Sequence, residues 1–438
     1  MSVHREYNQK CVTPETAVKH LIGAKNLILG MSVAMPPALM HAVANAAKNK
    51  EINPLNLYYM HGTQSLMNSL LRPELREQIR PRPLFMSEHD RQAIKESDIK
   101  HWIQFVPSTF HQVGRLLTKH IEPDCFMVTV SRMDQHGYFS LGTNADYGAT
   151  VIRKAKKVIV EVNNHMPRTF GECSVHISEV HAIVENHVPL IEFLPQKDSQ
   201  TDITIARQIV EKINDGDTLQ AGVGGVPNVI LKSLKNHKNL GLHSELFSPA
   251  IADLIKSGVI NGRMKSWLQH KHVFTLALGD KTMYEFMDDN PSIVGYPASW
   301  VNNPSIIRKN KNMVSINSAI EVDLTGQINS EQINGIPFSG TGGQLDFVRG
   351  AYAAENGRSF IALHSTAKND SISRIVPILN GGTVTDTRMD THYIVTEFGM
   401  VDLKGLSIQE RVRAILNLAH PSFRETLEKQ AYEKGLLA

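Results

Sequence analysis

Apolar residues along the chain alternate between short continuous runs and stripes with helical spacing. Runs at 27–29, 126–130 and 158–162 are typical of strands that are buried on both faces. The alanine-rich stretch 37–48 has the spacing of an amphipathic helix. Strands and helices that alternate in this way predict an α/β fold with mostly parallel sheets.

One stretch, residues 215–248, combines a predicted strand, a glycine loop, a helix and a second strand. Its sequence is DGDTLQAGVGGVPNVILKSLKNHKNLGLHSELFS. Glycine lets the backbone turn sharply and approach a ligand closely, and Pro227 suits the first turn of the helix after the loop. The second strand is followed by a single acidic residue, Glu245. This arrangement predicts half of a nucleotide-binding unit.

The beginning of the chain has the same order of elements between residues 13 and 59. With Gly30 aligned on Gly222, Leu27 falls on Leu219. This internal repeat predicts two similar α/β halves. The polar run PQKDS at 195–199 marks a boundary, so we expect an N-terminal domain over 1–194 and a C-terminal domain over 195–438. Capping-box patterns at Ser407 and Ser422 predict two helices near the end of the chain.

Composition narrows the class of protein. A chain of 438 residues is long enough for two domains, and a net charge of +3 gives no general support for nucleic-acid binding. Three distant cysteines indicate neither a disulfide framework nor a zinc site, and the His residues lack metal-binding spacing. We therefore expect no metal site. The N-terminus has no apolar signal core and no apolar run of about 18 residues follows, so we expect a cytoplasmic protein without a membrane partner.

Glu245 and its glycine loop have three interpretations from the residues alone. An acid about 20 residues beyond such a loop is where a dehydrogenase binds ribose. Pro227, however, replaces the third glycine of that fingerprint, and the loop does not lie on the first strand of the chain. In the second interpretation Glu245 is a solvated residue at the end of a strand. In the third its carboxylate is a catalytic group. The pattern by itself leaves all three open.

Six segments of the sequence, taken together, favour one of these three interpretations of Glu245. They are VNNHMPRTFG at 162–171, GVGGVP at 222–227, LGLHSELFS at 240–248, FSGTGGQLDF at 338–347, HSTAKNDSISRIVP at 364–377 and HYIVTEFG at 392–399. Together they resemble the acetyl-CoA hydrolase/transferase family, and within it the 4-hydroxybutyrate, butyrate and itaconate CoA-transferases. The resemblance covers nearly the whole chain. It implies two open α/β CoA-transferase domains with an active site between them, in a homo-oligomer.

The resemblance also implies roles for individual residues. It places the nucleophile on Glu245. Independently of the resemblance, glycine loops supply backbone N–H donors to an oxyanion, and Gly343, with neighbours in Gly222 to Gly225, is the candidate donor. The resemblance implies CoA contacts at Gly222, Val223, Gly224, Gly225, Val226, Ile320 and Gly343. The chain departs from common members at His243-Ser244 and at Ser248-Pro249. Since proline stiffens the turn beyond Glu245, we expect an effect on turnover rate more than on reaction type.

The implied reaction is CoA transfer between short-chain carboxylic acids. A carboxylate that is shielded from water attacks a thioester, and a glutamyl-CoA thioester then forms, so the kinetics are expected to be ping-pong. Coenzyme A is a substrate, and no prosthetic cofactor is needed. Acetate, butyrate, 4-hydroxybutyrate, succinate and itaconate all remain open as substrates. A thioester hydrolase on the same scaffold, a nicotinamide dehydrogenase and a silent CoA-binding protein are the alternatives.

Five further residues have a functional and a structural interpretation. Met31 and Met60 follow strands that the repeat pairs with the Gly222 and Glu245 loops, so they are expected either to line an acyl pocket or to fill the core. Lys368 and Arg374 are either contacts to CoA phosphates or a substrate carboxylate, or surface cations. Glu397, at a strand end, either orients the nucleophile or is structural.

Overall fold

The computed structural model describes residues 2–97, 101–193, 197–222 and 224–438. The chain divides into two compact units, Met1–Phe193 with Val273–Val301 and Leu194–His272 with Asn302–Ala438. The predicted boundary between residues 194 and 195 lies outside the described residues. Segment 273–301, which the sequence expectation counted with the second half, belongs to the first unit, because the chain returns to that unit before completing the second.

The first unit is built on a parallel sheet of six strands. These are β1 (Asn26–Leu29), β2 (Leu55–Met60), β3 (Ile79–Phe85), β4 (Cys125–Val130), β5 (Lys157–Val162) and β6 (Ala182–Glu185), in the order β3-β2-β1-β4-β5-β6. Strand β4 is buried throughout and β5 nearly so, as the continuous apolar runs predict. Helix α3 (Pro37–Lys48) packs its apolar face into the same core.

Strand β3 has no counterpart in the sequence expectations. Its sequence, IRPRPLF, contains two prolines, which argue against a strand in the interior of a sheet because proline has no backbone N–H to donate. The structure places β3 at the edge of the sheet, where Pro81 and Pro83 are opposite Leu57 and Tyr59 of β2. The carbonyl oxygens of Pro81 and Pro83 accept from the N–H groups of Gln104 at 3.0 Å and Val106 at 2.9 Å, so the prolines act there as acceptors and no second strand of the sheet requires their missing N–H.

The second unit is also built on a six-stranded sheet. Its strands are β7 (Thr218–Ala221), β8 (Gly241–Leu242), β9 (Met313–Ser318), β10 (Arg358–Ala362), β11 (Tyr393–Thr396) and β12 (Gly399–Asp402), in the order β8-β7-β9-β10-β11-β12. All neighbours are parallel except β11 and β12. The two sheets confirm the predicted α/β class with mostly parallel strands.

The remaining elements are helices and short strands. The other helices are α1 (Val3–Lys10), α2 (Pro14–Val18), α4 (Gln64–Ser69), α5 (Glu88–Ser97), α6 (Phe110–Arg115), α7 (Gly148–Val151), α8 (Gln200–Val210), α9 (Gly225–Ser233), α10 (Pro249–Lys256), α11 (Lys281–Met287), α12 (Ala298–Val301), α13 (Pro304–Ile307), α14 (Gln344–Ala353), α15 (Ile408–Leu418) and α16 (Pro421–Glu433). The short strands are Tyr138–Ser140, Phe170–Gly171, Ser174–His176, Leu246–Phe247, His272–Phe274, Leu276–Ala277, Ile293–Gly295, Glu321–Asp323, Ile328–Asn329, Gln332–Ile333, Ile336–Pro337, Thr366–Ala367, Ile372–Ser373 and Ile375–Val376.

The predicted repeat is visible at the first strand of each half. Gly30 follows β1 and its N–H donates to Met127 at 2.8 Å, while Gly222 follows β7 and its N–H donates to Ile316 at 2.9 Å. In both sheets the glycine therefore ends its strand with a hydrogen bond to a parallel neighbour. A helix and a further parallel strand follow in each half.

One predicted strand and one predicted cap differ from the structure. The apolar pattern at 314–322 predicts one strand, but the structure divides it into β9 and Glu321–Asp323, because the chain leaves the extended conformation at Ala319 and Ile320. Ser407 caps α15 in a capping box with Glu410, as predicted. Helix α16, however, begins one residue before Ser422, and the ring of His420 accepts the N-cap hydrogen bond instead, because Pro421 is favoured in the first turn.

Helices α13 and α14 pack closely in the second unit. A Cβ added at Gly350 of α14 would lie 2.5 Å from Cβ of Ile307 in α13, so glycine is required there. Residue Asn302 lies just before α13, and Gly343 lies just before α14. The close packing therefore fixes the separation of these two residues.

Within the described part of the chain, no helix combines the length and apolar character that a membrane span requires. Likewise, no group of three His, Cys, Asp or Glu side chains among those residues is arranged to hold a metal ion.

Candidate active site

The acidic residue Glu245 stands three positions beyond β8, at the carboxyl edge of the second sheet. The backbone N–H of His243 donates to Leu219 of β7 at 3.1 Å, so pairing with β7 extends one residue past the strand. Both His243 and Ser244 are buried. The chain leading to Glu245 is therefore held by the sheet, and the predicted strand with an acid beyond its tip is what the structure contains.

A buried lysine, Lys265, donates hydrogen bonds to the backbone of the segment that leads to Glu245. The ammonium group of Lys265 donates to the carbonyl oxygens of Leu242 at 3.0 Å and Lys271 at 2.8 Å. Its side chain is 1% exposed, and burial lowers its pKa to about 7. A Cβ at Gly241 would lie 2.5 Å from Cγ of Lys265, so β8 needs glycine where the lysine passes. Sequence reasoning missed Lys265, because nothing in its spacing relates it to Glu245.

Two hydrogen-bond donors hold the Glu245 carboxylate. The side-chain amide of Asn302 donates to Oε2 at 2.5 Å, and the backbone N–H of Gly343 is the second donor. A Cβ at Gly343 would overlap with both Glu245 Oε2 and Asn302 Nδ2. Glycine at position 343 is therefore required by the closeness of three groups, and the structure brings together the two residues that the sequence placed in catalysis.

The charge of Glu245 is disfavoured in this environment. Burial raises its pKa from the ordinary value of 4.5 to about 7, and the negative charge of Asp346 adds to the rise. The hydrogen bonds from Asn302 and Gly343 act in the opposite direction. A carboxylate with its pKa near neutrality is only weakly stabilised as an anion, so it is more basic and more nucleophilic than an exposed glutamate.

Asn302 is the principal site residue that sequence reasoning missed. It is fully buried, and its Oδ1 has no hydrogen-bond partner among the described residues. In the sequence it appears only in VNNP, where Asn303 caps α13 and Pro304 begins it. An asparagine before a helix cap is common in loops, so only the fold distinguishes Asn302 from its neighbour.

The glycine loop after β7 leads into α9 at Gly225. Gly224 has a φ of +135°, which side chains rarely adopt, and a Cβ at Gly225 would lie 2.9 Å from a carboxylate oxygen of Asp202. Asp202 also accepts a hydrogen bond within 2.8 Å from the ring of His364. Val226 is buried, and Val223 lies outside the described residues. The loop therefore has a polar support that the sequence did not reveal.

The remaining candidates, Ile320, Arg374, Glu397 and Lys368, lie in different environments. The backbone N–H of Ile320 donates to Asn329 at 2.9 Å, and its carbonyl oxygen accepts from Arg374 Nε at 2.7 Å, so Arg374 supports this segment from within. Glu397 accepts hydrogen bonds from the N–H and hydroxyl of Ser365, which favours its structural interpretation. Lys368 is exposed, with a φ of +50°.

Both candidate acyl-pocket residues lie in the first unit. Met31 follows β1 and Met60 ends β2, so they stand at the carboxyl ends of two neighbouring parallel strands. Each is 1% exposed. Next to Met60, the ring of His61 stacks on Phe85 with 4.1 Å between centroids. Their position at one sheet edge agrees with either interpretation of the two methionines.

The geometry around Glu245 suits covalent chemistry on a carbonyl compound. A partly buried carboxylate carries the nucleophilic electron pair, and its Oε2 accepts from Asn302 while the Gly343 N–H is a second donor to the carboxylate. If Glu245 becomes acylated through Oε1, Oε2 becomes the carbonyl oxygen, and a donor at Oε2 stabilises negative charge on it. The site therefore contains a nucleophile, Glu245, and candidate oxyanion donors, Asn302 and Gly343.

Comparisons with known proteins agree on one family. Residues 1–195 match the acetyl-CoA hydrolase/transferase N-terminal domain, and residues 279–431 match the C-terminal domain of the same family. The chain is 39% identical to a 4-hydroxybutyrate coenzyme A transferase of Clostridium kluyveri, with 96% of this chain and 97% of the relative covered. It is 40% identical to a succinyl-CoA:cyclohexane-1-carboxylate CoA transferase of Geobacter metallireducens, with 98% and 97% covered.

A solved structure is similar over the full length of both chains. The crystal structure of RipA from Yersinia pestis superposes with a TM-score of 0.96 at 45% identity, and 100% of each chain is covered. The family models and the CoA-transferase relatives confirm the resemblance to the acetyl-CoA hydrolase/transferase family that the six sequence segments indicate.

The raised pKa of Glu245 makes a prediction about stability. Between pH 4.5 and 7 the folded state keeps a proton that the unfolded state has released, so stability falls as pH rises through this window. Glu245→Gln removes this loss. We expect its melting temperature to exceed that of the wild type by about 3 °C at pH 8, and by less toward pH 5. The exposed Glu211→Gln is the control. A difference that does not vary with pH would contradict the assignment.

Proposed function

The chain belongs to the acetyl-CoA hydrolase/transferase family and is a CoA-transferase, and on this premise we propose that it moves CoA between short-chain carboxylic acids through a glutamyl-CoA thioester on Glu245. The observation that supports this proposal most directly is the carboxylate of Glu245 held by Asn302 and Gly343. A dehydrogenase has no support from the comparisons, and the glycine loop is assigned to CoA.

The first step is attack on the acyl-CoA donor. A carboxylate oxygen of Glu245 forms a bond to the thioester carbonyl carbon, and the C–S bond breaks to release CoA thiolate. The product is a mixed anhydride between Glu245 and the donor acid. Because the pKa of Glu245 is about 7, the attacking anion is available at neutral pH without the help of a separate base.

In the second step the thiolate attacks the glutamyl carbonyl carbon of the anhydride. Negative charge develops on the glutamyl oxygen, where Asn302 Nδ2 contacts Oε2 and the Gly343 N–H is the second donor to the carboxylate. Collapse of this oxyanion breaks the anhydride C–O bond, so the donor acid leaves as a carboxylate. The enzyme now holds CoA as a thioester on Glu245, and the free energy of the original thioester is retained.

An acceptor carboxylate then reverses both steps. Its oxygen attacks the glutamyl thioester, CoA thiolate departs, and the thiolate attacks the acceptor carbonyl of the new anhydride. The acceptor leaves as its CoA ester and Glu245 is regenerated as a carboxylate. Donor acid leaves before acceptor binds, so the kinetics are ping-pong.

We assign CoA binding to the edge of the second sheet that carries Glu245. The candidate residues are Gly222, Val223, Gly224, Gly225, Val226, Ile320, Gly343 and Lys368. Gly222 and Gly224 expose backbone at the end of β7, where an open α/β sheet binds its ligands. Lys368 is the exposed cation in this set, so it suits a phosphate of CoA.

A thioester hydrolase is the second candidate, since the family contains both activities in its description. The same glutamyl chemistry serves it if water replaces the acceptor carboxylate. Acetate-dependent formation of acetyl-CoA with little release of free CoA separates transfer from hydrolysis.

The covalent intermediate is tested by intact mass spectrometry. After the enzyme is mixed with butyryl-CoA and no acceptor, we expect an adduct of the mass of CoA less water. Acetate should remove it, and borohydride, which reduces the thioester, should release CoA. Glu245→Gln retains the shape of the side chain without its nucleophilic charge, so no adduct is expected. An adduct of equal amount in the variant would place the covalent bond on another residue.

The proposed oxyanion donor Asn302 is tested by kinetics. Asn302→Ala should lower kcat by about 100-fold, the usual effect of losing one such donor, with a smaller change in KM for butyryl-CoA. Asn303→Ser is the matched control, because serine also caps a helix and Asn303 does not contact Glu245 through a described hydrogen bond. Equal kcat for Asn302→Ala and the wild type would remove Asn302 from the mechanism.

We propose further that Met31 and Met60 determine acyl preference. Met31→Gly and Met60→Val enlarge their sites, so kcat/KM for branched or longer acyl groups should rise by about tenfold relative to acetyl-CoA. The buried Met287→Val, in helix α11, is the control for general loss of packing. If the order of acyl-CoA substrates stays the same in both variants, the methionines only fill the core.

A further inference from the structure

Gln344, the residue after the backbone donor Gly343, is held by two side-chain hydrogen bonds. Gln344 is the first residue of α14, and its side-chain amide Nε2 donates to Asp386 Oδ2 at 2.6 Å and to Ser330 Oγ at 2.9 Å. Asp386 is fully buried. The carbonyl oxygen of Gly343 accepts from the N–H of Phe347 at 3.0 Å, and its N–H donates to Glu245. The two hydrogen bonds of the Gln344 side chain add a restraint one residue away.

The two acceptors of Gln344, Ser330 and Asp386, lie on different segments that are hydrogen-bonded to each other. The N–H of Ile328 donates to the Asp386 carbonyl at 3.0 Å, and the hydroxyl of Ser330 donates to the Ser318 carbonyl at 3.3 Å. Ile320 is paired with Asn329 in the same region. Gln344 therefore ties the start of α14 to the segment that ends β9, and not to a mobile surface group.

We propose that Gln344 is a positioning residue that holds the Gly343 N–H on the carboxylate of Glu245, with Asp386 as its anchor. This inference rests on the proposed function. An oxyanion donor contributes only within a narrow range of distance and angle. Packing against α13 keeps α14 in place, but without the two side-chain hydrogen bonds of Gln344 the start of the helix can shift slightly, and a small shift misdirects the Gly343 N–H. The hydrogen bonds of Ile320, another residue assigned to CoA, do not involve Gln344.

Loss of Gln344 also has a structural effect that must be separated from this one. Asp386 Oδ1 has no hydrogen-bond partner among the described residues, and burial raises the pKa of Asp386 to about 7. Gln344→Leu leaves the Oδ2 atom without its donor as well. A buried carboxyl group without partners destabilises the fold, whereas replacing both groups with apolar side chains relieves the penalty.

A double-mutant cycle separates stability from positioning. The variants are Gln344→Leu, Asp386→Leu, the combination of both, and Asp386→Asn, which retains an acceptor oxygen for Gln344. Melting temperature is measured together with kcat and KM for butyryl-CoA and acetate, and kcat is normalised to the fraction of enzyme that forms the CoA adduct. The normalisation removes any effect of misfolded protein.

We expect Gln344→Leu to lower normalised kcat by about tenfold, as for one hydrogen bond to a charged group, with KM for butyryl-CoA within about twofold of the wild type. The double variant should recover the melting temperature to within about 2 °C but keep the low kcat, and Asp386→Asn should keep a kcat near that of the wild type.

Two results would overturn the proposal. One is a kcat that recovers together with stability in the double variant, since Gln344 would then be structural only. The other is an unchanged normalised kcat in Gln344→Leu. Failure of the proposed function is seen separately, because a wild-type enzyme that forms no CoA adduct and transfers no CoA would refute the glutamyl thioester before any variant is compared.

Discussion

The structure of the second unit depends on one constraint: an anionic carboxylate must be held in a poorly hydrated place by two N–H donors. The carboxylate of Glu245 accepts from Asn302 and Gly343, and these three groups are so close that position 343 accommodates no side chain. The surrounding elements meet this constraint in different ways. Packing of α13 against α14 fixes the two donors, while Lys265 and pairing with β7 hold the segment that carries the acid.

This constraint opposes stability. Burial raises the pKa of Glu245 to about 7, so ionisation near neutral pH is less favourable in the folded protein than in the unfolded chain. The donors offset part of that effect, and Asp346 increases it. A site built for stability alone would have a neutral or apolar side chain at this position. The retained carboxylate is therefore understandable as a requirement of the chemistry.

Local patterns predicted most of the regular structure and drew attention to Glu245, whose role as nucleophile came from the family resemblance. Continuous apolar runs found central strands of the first sheet, and the predicted strand before the glycine loop, with an acid beyond the next strand, located β7 and Glu245 in the second. The patterns failed where long-range context decides. Proline in β3 is tolerated only because the strand lies at an edge, and His420 replaces Ser422 as a cap because Pro421 starts the helix. Asn302 and Lys265 reach Glu245 through the fold, over separations that carry no sequence signal.

The glutamyl thioester mechanism is tested most directly by measuring whether an oxygen atom passes from the acceptor acid to Glu245. The enzyme is loaded with butyryl-CoA and discharged in a single turnover with acetate that carries 18O in both positions. The proposed path forms an anhydride whose bridging oxygen comes from acetate, and cleavage on the acetyl side leaves that oxygen on Glu245. Peptide mass spectrometry should therefore find one 18O in the Glu245 side chain, with one 18O in the acetyl-CoA product. Labelled acetyl-CoA together with an unlabelled Glu245 would contradict the glutamyl thioester mechanism.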